Sequence, residues 1–176
     1  MPQLSELIQK YTFTSKERFL DYVQIDTQSD PHSSSSPTTE KQKNLGKVLV
    51  QELQSLGISN AHLDEYGYVY AHIFSNVSHE VPGLCFCAHI DTSPDCSGSS
   101  VKPIVHPYYH GQDLFLPDDF SIVIRLAEHP DLAEQIGNDI ITASGTTLLG
   151  ADNKAGLAEI MDAVAFWTTH PDVPHG

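Results

Sequence analysis

The sequence predicts an α/β fold, with helices packed on both faces of a sheet. Three observations predict it. Apolar residues recur at helical spacing in two long segments, near residues 38–56 and 154–169. Between them lie runs rich in β-formers: Tyr66 to Phe74 alternates, and Leu84 to Ile90 is almost uniformly apolar. Helix-like and strand-like stretches therefore alternate along the chain, the pattern of a sheet sandwiched by helices.

Taken in order, Ser15 is placed to cap a first helix whose apolar stripe is Phe19, Leu20, Tyr22, Val23 and Ile25. Residues 28–37 are polar, with four serines in a row from Ser33, and read as a mobile loop. Thr38 or Thr39 can cap the next helix, which carries Leu45, Val48, Leu49, Leu53 and Leu56 and stops at Gly57. Strands follow at Tyr66–Phe74 and Leu84–Ile90, the second the more buried. Thr92 to Gly111 has no clear period and reads as a loop. Phe120 to Ile136 is predicted helical, with Pro130 breaking or restarting it. Short strand-like pieces flank the Ser144-Gly145 turn. The last helix runs from about Lys154 to Thr169 with Leu157, Ile160, Met161, Val164 and Ala165 inward, and Pro171 to Gly176 is a turn.

Bulk properties narrow the function classes. A chain of 176 residues suits one domain with a real core. Acidic residues outnumber basic ones 23 to 9, for a formal charge of −14. That balance argues against nucleic acid as a partner, because phosphate binding rests on Lys and Arg. It suits a metal ion or an amine. No apolar stretch approaches the roughly 20 residues that span a membrane, and Met1 to Lys10 lacks the pattern of a secretory signal. An odd set of cysteines (85, 87 and 96) without such a signal reads as reduced thiols in a cytoplasmic protein. Cys85 and Cys87 are expected as buried strand residues.

Two segments carry the chemistry. The apolar run Leu84–Ala88 ends in His89-Ile90-Asp91. In a strand, residues two apart face the same way. His89 and Asp91 would then point together at a strand end, where α/β folds place their sites. A histidine that binds a metal through one nitrogen needs the other held by an acceptor, which a nearby carboxylate supplies. By itself the tripeptide also fits a structural histidine. Leu148-Leu149-Gly150-Ala151-Asp152-Asn153-Lys154-Ala155-Gly156 is an apolar approach, an acid and a helix start. Asp152 can be read as an N-cap or as a carboxylate bridging two cations; Gly150 and Gly156 exceed what a cap requires.

With their flanks, these segments resemble the M20 family of zinc peptidases, and within it the tripeptide aminopeptidases of the peptidase T group. The resemblance runs through His89-Ile90-Asp91-Thr92-Ser93-Pro94-Asp95-Cys96-Ser97-Gly98 and Thr146 to Gly156. It extends to Phe19–Val23 with Asp26-Thr27-Gln28-Ser29, to Tyr109–Leu114 (Gln112 departing from Gly), and to Pro174-His175-Gly176. It implies that His89 binds one zinc, that Asp91 is the catalytic-site carboxylate orienting His89, and that Asp152 bridges two zinc ions, followed by a cis peptide bond. Lys154 would balance local acids. His106, His110, His170 and His175 are expected as surface residues.

The fold implied is a three-layer helix–sheet–helix zinc-peptidase catalytic domain. Residues 1–176 would be its N-terminal portion, incomplete at the C-terminal side and without the dimerisation or lid domain. The general-base Glu and remaining ligands would lie beyond Gly176, and the resemblance leaves the oligomeric state open. The activity implied is zinc-dependent removal of the N-terminal residue from tripeptides, the substrate carrying a free amino terminus, in a truncated form. The alternatives are a catalytically inactive fragment with at most weak metal binding, or another activity of the family, deacylase or carboxypeptidase.

Overall fold

A computed structural model describes residues 4–176 and is a mixture of helices and short strands. Helix α1 spans Leu4–Lys10, α2 Ser15–Tyr22, α3 Gln42–Ser55 and α4 Ala151–Thr169. The strands are β1 (His62–Leu63), β2 (Val69–Tyr70), β3 (Ile104–His106), β4 (Leu114–Phe115), β5 (Val123–Ile124) and β6 (Ile140–Thr142).

The apolar stripes of α2, α3 and α4 meet in one core. Phe19, Tyr22, Leu45, Leu49, Leu53, Leu157 and Met161 are buried there, with Val23, Ile58 and Val101 closing the gaps. Burying a leucine in such a cluster stabilises by about 1.5–3 kcal/mol. Gly57 ends α3 at φ +90°: the Gly57 amide donates to Gln54 O and the Ile58 amide to Leu53 O, both at 3.0 Å. That pair of bonds closes the last turn of a helix through a left-handed residue.

Helix starts differ from expectation. Thr14, not Ser15, precedes α2, and no side-chain oxygen caps it locally. Thr14 Oγ1 instead donates to Asp162 Oδ1 at 2.7 Å, so a carboxylate from α4 serves the start of α2. Thr38 and Thr39 do not cap α3 either. Thr38 Oγ1 accepts from the Asp30 amide and Thr39 Oγ1 donates to Gln28 O, tying together the ends of the 28–37 loop. Helix α1 was not foreseen.

The strands form three separate two-stranded antiparallel ladders, β1–β2, β3–β6 and β4–β5. Of the expected strand Tyr66–Phe74 only Val69–Tyr70 pairs, and Tyr66, Tyr68 and Phe74 lie exposed. The expected buried strand Leu84–Ile90 does not form. Residues 81–91 join no ladder, and Leu84 and Phe86 are 83% and 73% exposed. A strand covered on both faces needs partners on its edges, and among the described residues the nearest pairing is a single parallel bridge between Gln28 and Thr92. Cys85 and Cys87 are consequently exposed rather than buried. Phe120–Ile136 is not an α-helix. Its β-branched residues Val123–Ile124 pair with β4, and Pro130 opens a 3₁₀ helix over Pro130–Gln135. Residues 147–149 carry no strand.

Both chemistry-bearing segments rest on the core's edge. Ala88, Ile90 and Leu149 are partly buried against it. His89, between Ala88 and Ile90, is exposed, Asp91 is half-buried, and Asp152 stands at the start of α4.

Candidate metal centre

Asp152 owes its position to the way α4 begins. Gly150 takes φ +80°, a left-handed conformation that costs a residue with a Cβ about 1–2 kcal/mol. A methyl group there would also lie 3.0 Å from Thr92 Cγ2. Asp152 and Asn153 depart from helical angles, and the peptide bond between them is cis. Asn153 folds back over the first turn, where Gly156 has no side chain to collide with it. Lys154 is buried (1% exposed) and its Nζ donates to Ile25 O at 2.7 Å. Burial pushes the Lys154 ammonium down to about 8, against a smaller opposing pull from Asp26. The charge that the sequence suggested would balance local acids is thus also a tie between α4 and residue 25.

The Asp152 carboxylate does not cap the helix. Its side chain is 94% exposed, and Oδ1 lies 2.9 Å from His89 Nε2. The other ring nitrogen of His89, Nδ1, lies 2.9 Å from the main-chain oxygen of Asp91 and 3.2 Å from its Oδ1. The structure therefore brings His89, Asp91 and Asp152 together. Both ring nitrogens face acceptors, and the imidazolium, with two N–H groups, is the form that satisfies both. Partial burial opposes that charge, but the bonds to Asp152 and Asp91, with the charges of both carboxylates, outweigh it and raise the His89 pKa above its ordinary 6.5.

An imidazole nitrogen and a carboxylate oxygen are donors of the zinc type. His89 Nε2 and Asp152 Oδ1 are offered together on side chains 50% and 94% exposed, so an ion can reach them. The pair fits a metal as part of its donor set and no more. Zinc takes about four ligands, and among the described residues no group of three or more His, Cys, Asp or Glu side chains is arranged to hold an ion. The other histidines bond elsewhere. His106 Nε2 meets Thr142 Oγ1, His170 stacks on Phe166, and His175 packs on Trp167. These three are half-buried, and His110 is exposed.

Two contributors were not legible as site residues: Thr27 and Thr92, 0% and 3% exposed. A buried threonine leaves no periodicity, and only its neighbours in space reveal it. The Thr27 hydroxyl donates to Ile90 O at 2.8 Å, and the Thr92 amide donates to Thr27 O at 3.2 Å.

Comparison with known proteins gives a consistent set. A protein named peptidase T from Desulfitobacterium hafniense (strain Y51) is 49% identical over 160 residues, 91% of this chain and 39% of its own length. Peptidase T proteins of Aliivibrio fischeri (49%) and Geobacillus sp. (47%) match over the same extents. The chain thus spans about two-fifths of the length of the curated relatives it matches. A solved tripeptidase from Staphylococcus aureus superposes with a TM-score of 0.56 at 24% identity, covering 92% of this chain and 33% of that one, which is a likeness of fold. No family model matches.

Proposed function

Since the chain is homologous to peptidase T over nine-tenths of its length, we propose that it carries part of the centre of a zinc-dependent tripeptide aminopeptidase. The observation that carries this reading is the 2.9 Å approach of His89 Nε2 and Asp152 Oδ1 across 63 residues of sequence. In this reading the chain is the N-terminal portion of a three-layer catalytic domain. Further donors, and the general base, come from sequence the relatives possess outside the match. The setting is the cytoplasm and the substrate a tripeptide with a free amino terminus.

Each residue has a distinct task. His89 binds through Nε2 and is held through Nδ1 by Asp91, which fixes ring orientation and raises its basicity. Asp152 offers a solvent-facing carboxylate with two oxygens, enough to serve two ions. Zinc, when bound, supplies a Lewis acid and an activated water. The acidic surface, −14 overall, favours a substrate whose terminus is an ammonium.

A second reading is favoured by the lack of a third converging donor among the described residues: the chain alone binds metal weakly and does not turn over. Zinc titration with tripeptide hydrolysis by the 176-residue chain separates the two. Turnover that chelation abolishes and zinc restores assigns activity to this chain. Zinc binding without turnover assigns it the partial site only. No zinc-dependent difference between the wild type and Asp152→Ala, in binding or turnover, overturns the metal reading.

A further inference from the structure

We propose that Thr27 is the positioning residue of this centre, setting the orientation of the His89 ring through the main chain on both sides of Asp91. The inference rests on the reading of His89 and Asp152 as metal donors.

The Asp91–Thr92 peptide is the hinge of the argument. Its C=O accepts from His89 Nδ1 at 2.9 Å, and its N–H donates to Thr27 O at 3.2 Å. A peptide group is planar, so a bond that fixes the N–H end fixes the carbonyl that holds the imidazole. The preceding peptide is fixed as well, because the Thr27 hydroxyl donates to Ile90 O at 2.8 Å. One fully buried residue therefore clasps both peptide planes that flank Asp91.

The stretch joins no ladder before the bridge at Thr92, so beyond the packing of Ala88 and Ile90 on the core its order rests on individual hydrogen bonds. The clasp is itself anchored. Ser29 donates to Thr92 O from both its amide and its hydroxyl, each at 3.0 Å. On the other side, Lys154 Nζ holds Ile25 O, joining residues 25–29 to the helix that carries Asp152. The segment Ile25–Ser29 therefore touches both halves of the centre, and Thr27 is the member that bonds both peptides flanking Asp91.

Three variants test it on the 176-residue chain: Thr27→Ser keeps the donor, Thr27→Val removes it, and Thr27→Cys weakens it. Folding is checked by circular dichroism. The readouts are the ¹⁵N resonances of the His89 ring in metal-free protein and cobalt(II) affinity by absorption titration. Thr27→Ser is expected to keep wild-type resonances and affinity. Thr27→Val is expected to move the ring resonances toward those of Asp152→Asn and weaken cobalt about tenfold, as outer partners of metal ligands do. If Thr27→Val does not fold, Thr27→Cys is expected to fall between wild type and Asp152→Asn. A folded Thr27→Val with wild-type resonances and affinity overturns the proposal, as does Thr27→Cys indistinguishable from wild type or Thr27→Ser as impaired as Thr27→Val. A wild-type chain that binds no cobalt counts against the metal reading alone, because the ring resonances still decide the role of Thr27.

Discussion

Asp162, buried in the middle of α4, accepts hydrogen bonds from both the amide and the hydroxyl of Thr14, 148 residues away, at 3.1 and 2.7 Å. Tyr11 Oη adds a third at 3.1 Å. One carboxylate oxygen thus holds the entry to α2 against α4. Asp162→Ala would leave both Thr14 donors without an acceptor, while Tyr11 Oη keeps the main-chain oxygen of residue 162 at 3.3 Å, at a cost of about 3 kcal/mol. Asp162→Asn keeps an acceptor at Oδ1 and should cost about 1 kcal/mol. Urea unfolding of the two variants measures the difference; equal stabilities would show that the contact is inert.

Zinc affinity should rise with pH over a higher window than an ordinary histidine would give. A metal needs the neutral ring, and the contacts to Asp152 and Asp91 raise the His89 pKa above 6.5, after allowing for the opposing effect of burial. Below that raised pKa the proton competes with the ion; above it the ring is free. Asp152→Asn should lower the His89 pKa, which an NMR pH titration follows through the ring proton. An unchanged titration would disprove the coupling.

Alkali should unfold the protein partly through Tyr22. Burial pushes this phenol up to about 12 from 10.0, against an opposing pull from Arg18. The folded state then keeps a proton that the unfolded chain releases, so the contribution is complete below pH 10 and lost as pH rises from 10 to about 12. Tyr22→Phe removes the titrating group and should flatten the stability curve across that range. Thermal melts at stepped pH give the answer.

Gly150→Ala should lower stability by about 1–2 kcal/mol, the cost of a left-handed residue, and the melting temperature by about 2–4 °C per kcal/mol. The added methyl would also press on Thr92 Cγ2 at 3.0 Å, so zinc binding should weaken alongside. A melt equal to wild type would mean that the turn before α4 relaxes freely.

All three cysteines are free and exposed. A chromogenic disulfide reagent should therefore titrate three thiols in native buffer at the rate seen in denaturant. Slow or missing thiols would show that at least one of Cys85, Cys87 and Cys96 is covered in solution.

The sequence made the core legible because helical spacing reports burial directly. Leu45, Leu49 and Leu53, then Leu157, Met161 and Ala165, fall where their periodicity puts them. Gly57 was legible as a stop because its left-handed angle suits glycine. Ladders were not, because Leu84–Ile90 has the composition of a buried strand while pairing depends on what lies beside it. The Phe120–Ile136 stretch misled for a similar reason: its apolar residues fit a helix loosely, and β-branching at Val123 and Ile124 won. In the candidate centre, His89, Asp91 and Asp152 stand out less by residue type, which also fits a structural histidine and a helix cap, than by the resemblance of their flanks to the zinc peptidases. Thr27 and Lys154 donate from their side chains to the main-chain oxygens of Ile90 and Ile25, and main-chain acceptors are the same for every residue, so the sequence does not show these partners.

The unpaired arm at Leu84–Ile90 leaves one side of the centre without a neighbour among the described residues. It presents two large apolar side chains, Leu84 and Phe86, to water on a stretch that belongs to no ladder. In the proposed reading, the neighbour that would cover it belongs to the rest of the catalytic domain, and with that neighbour in place Leu84 and Phe86 would leave water.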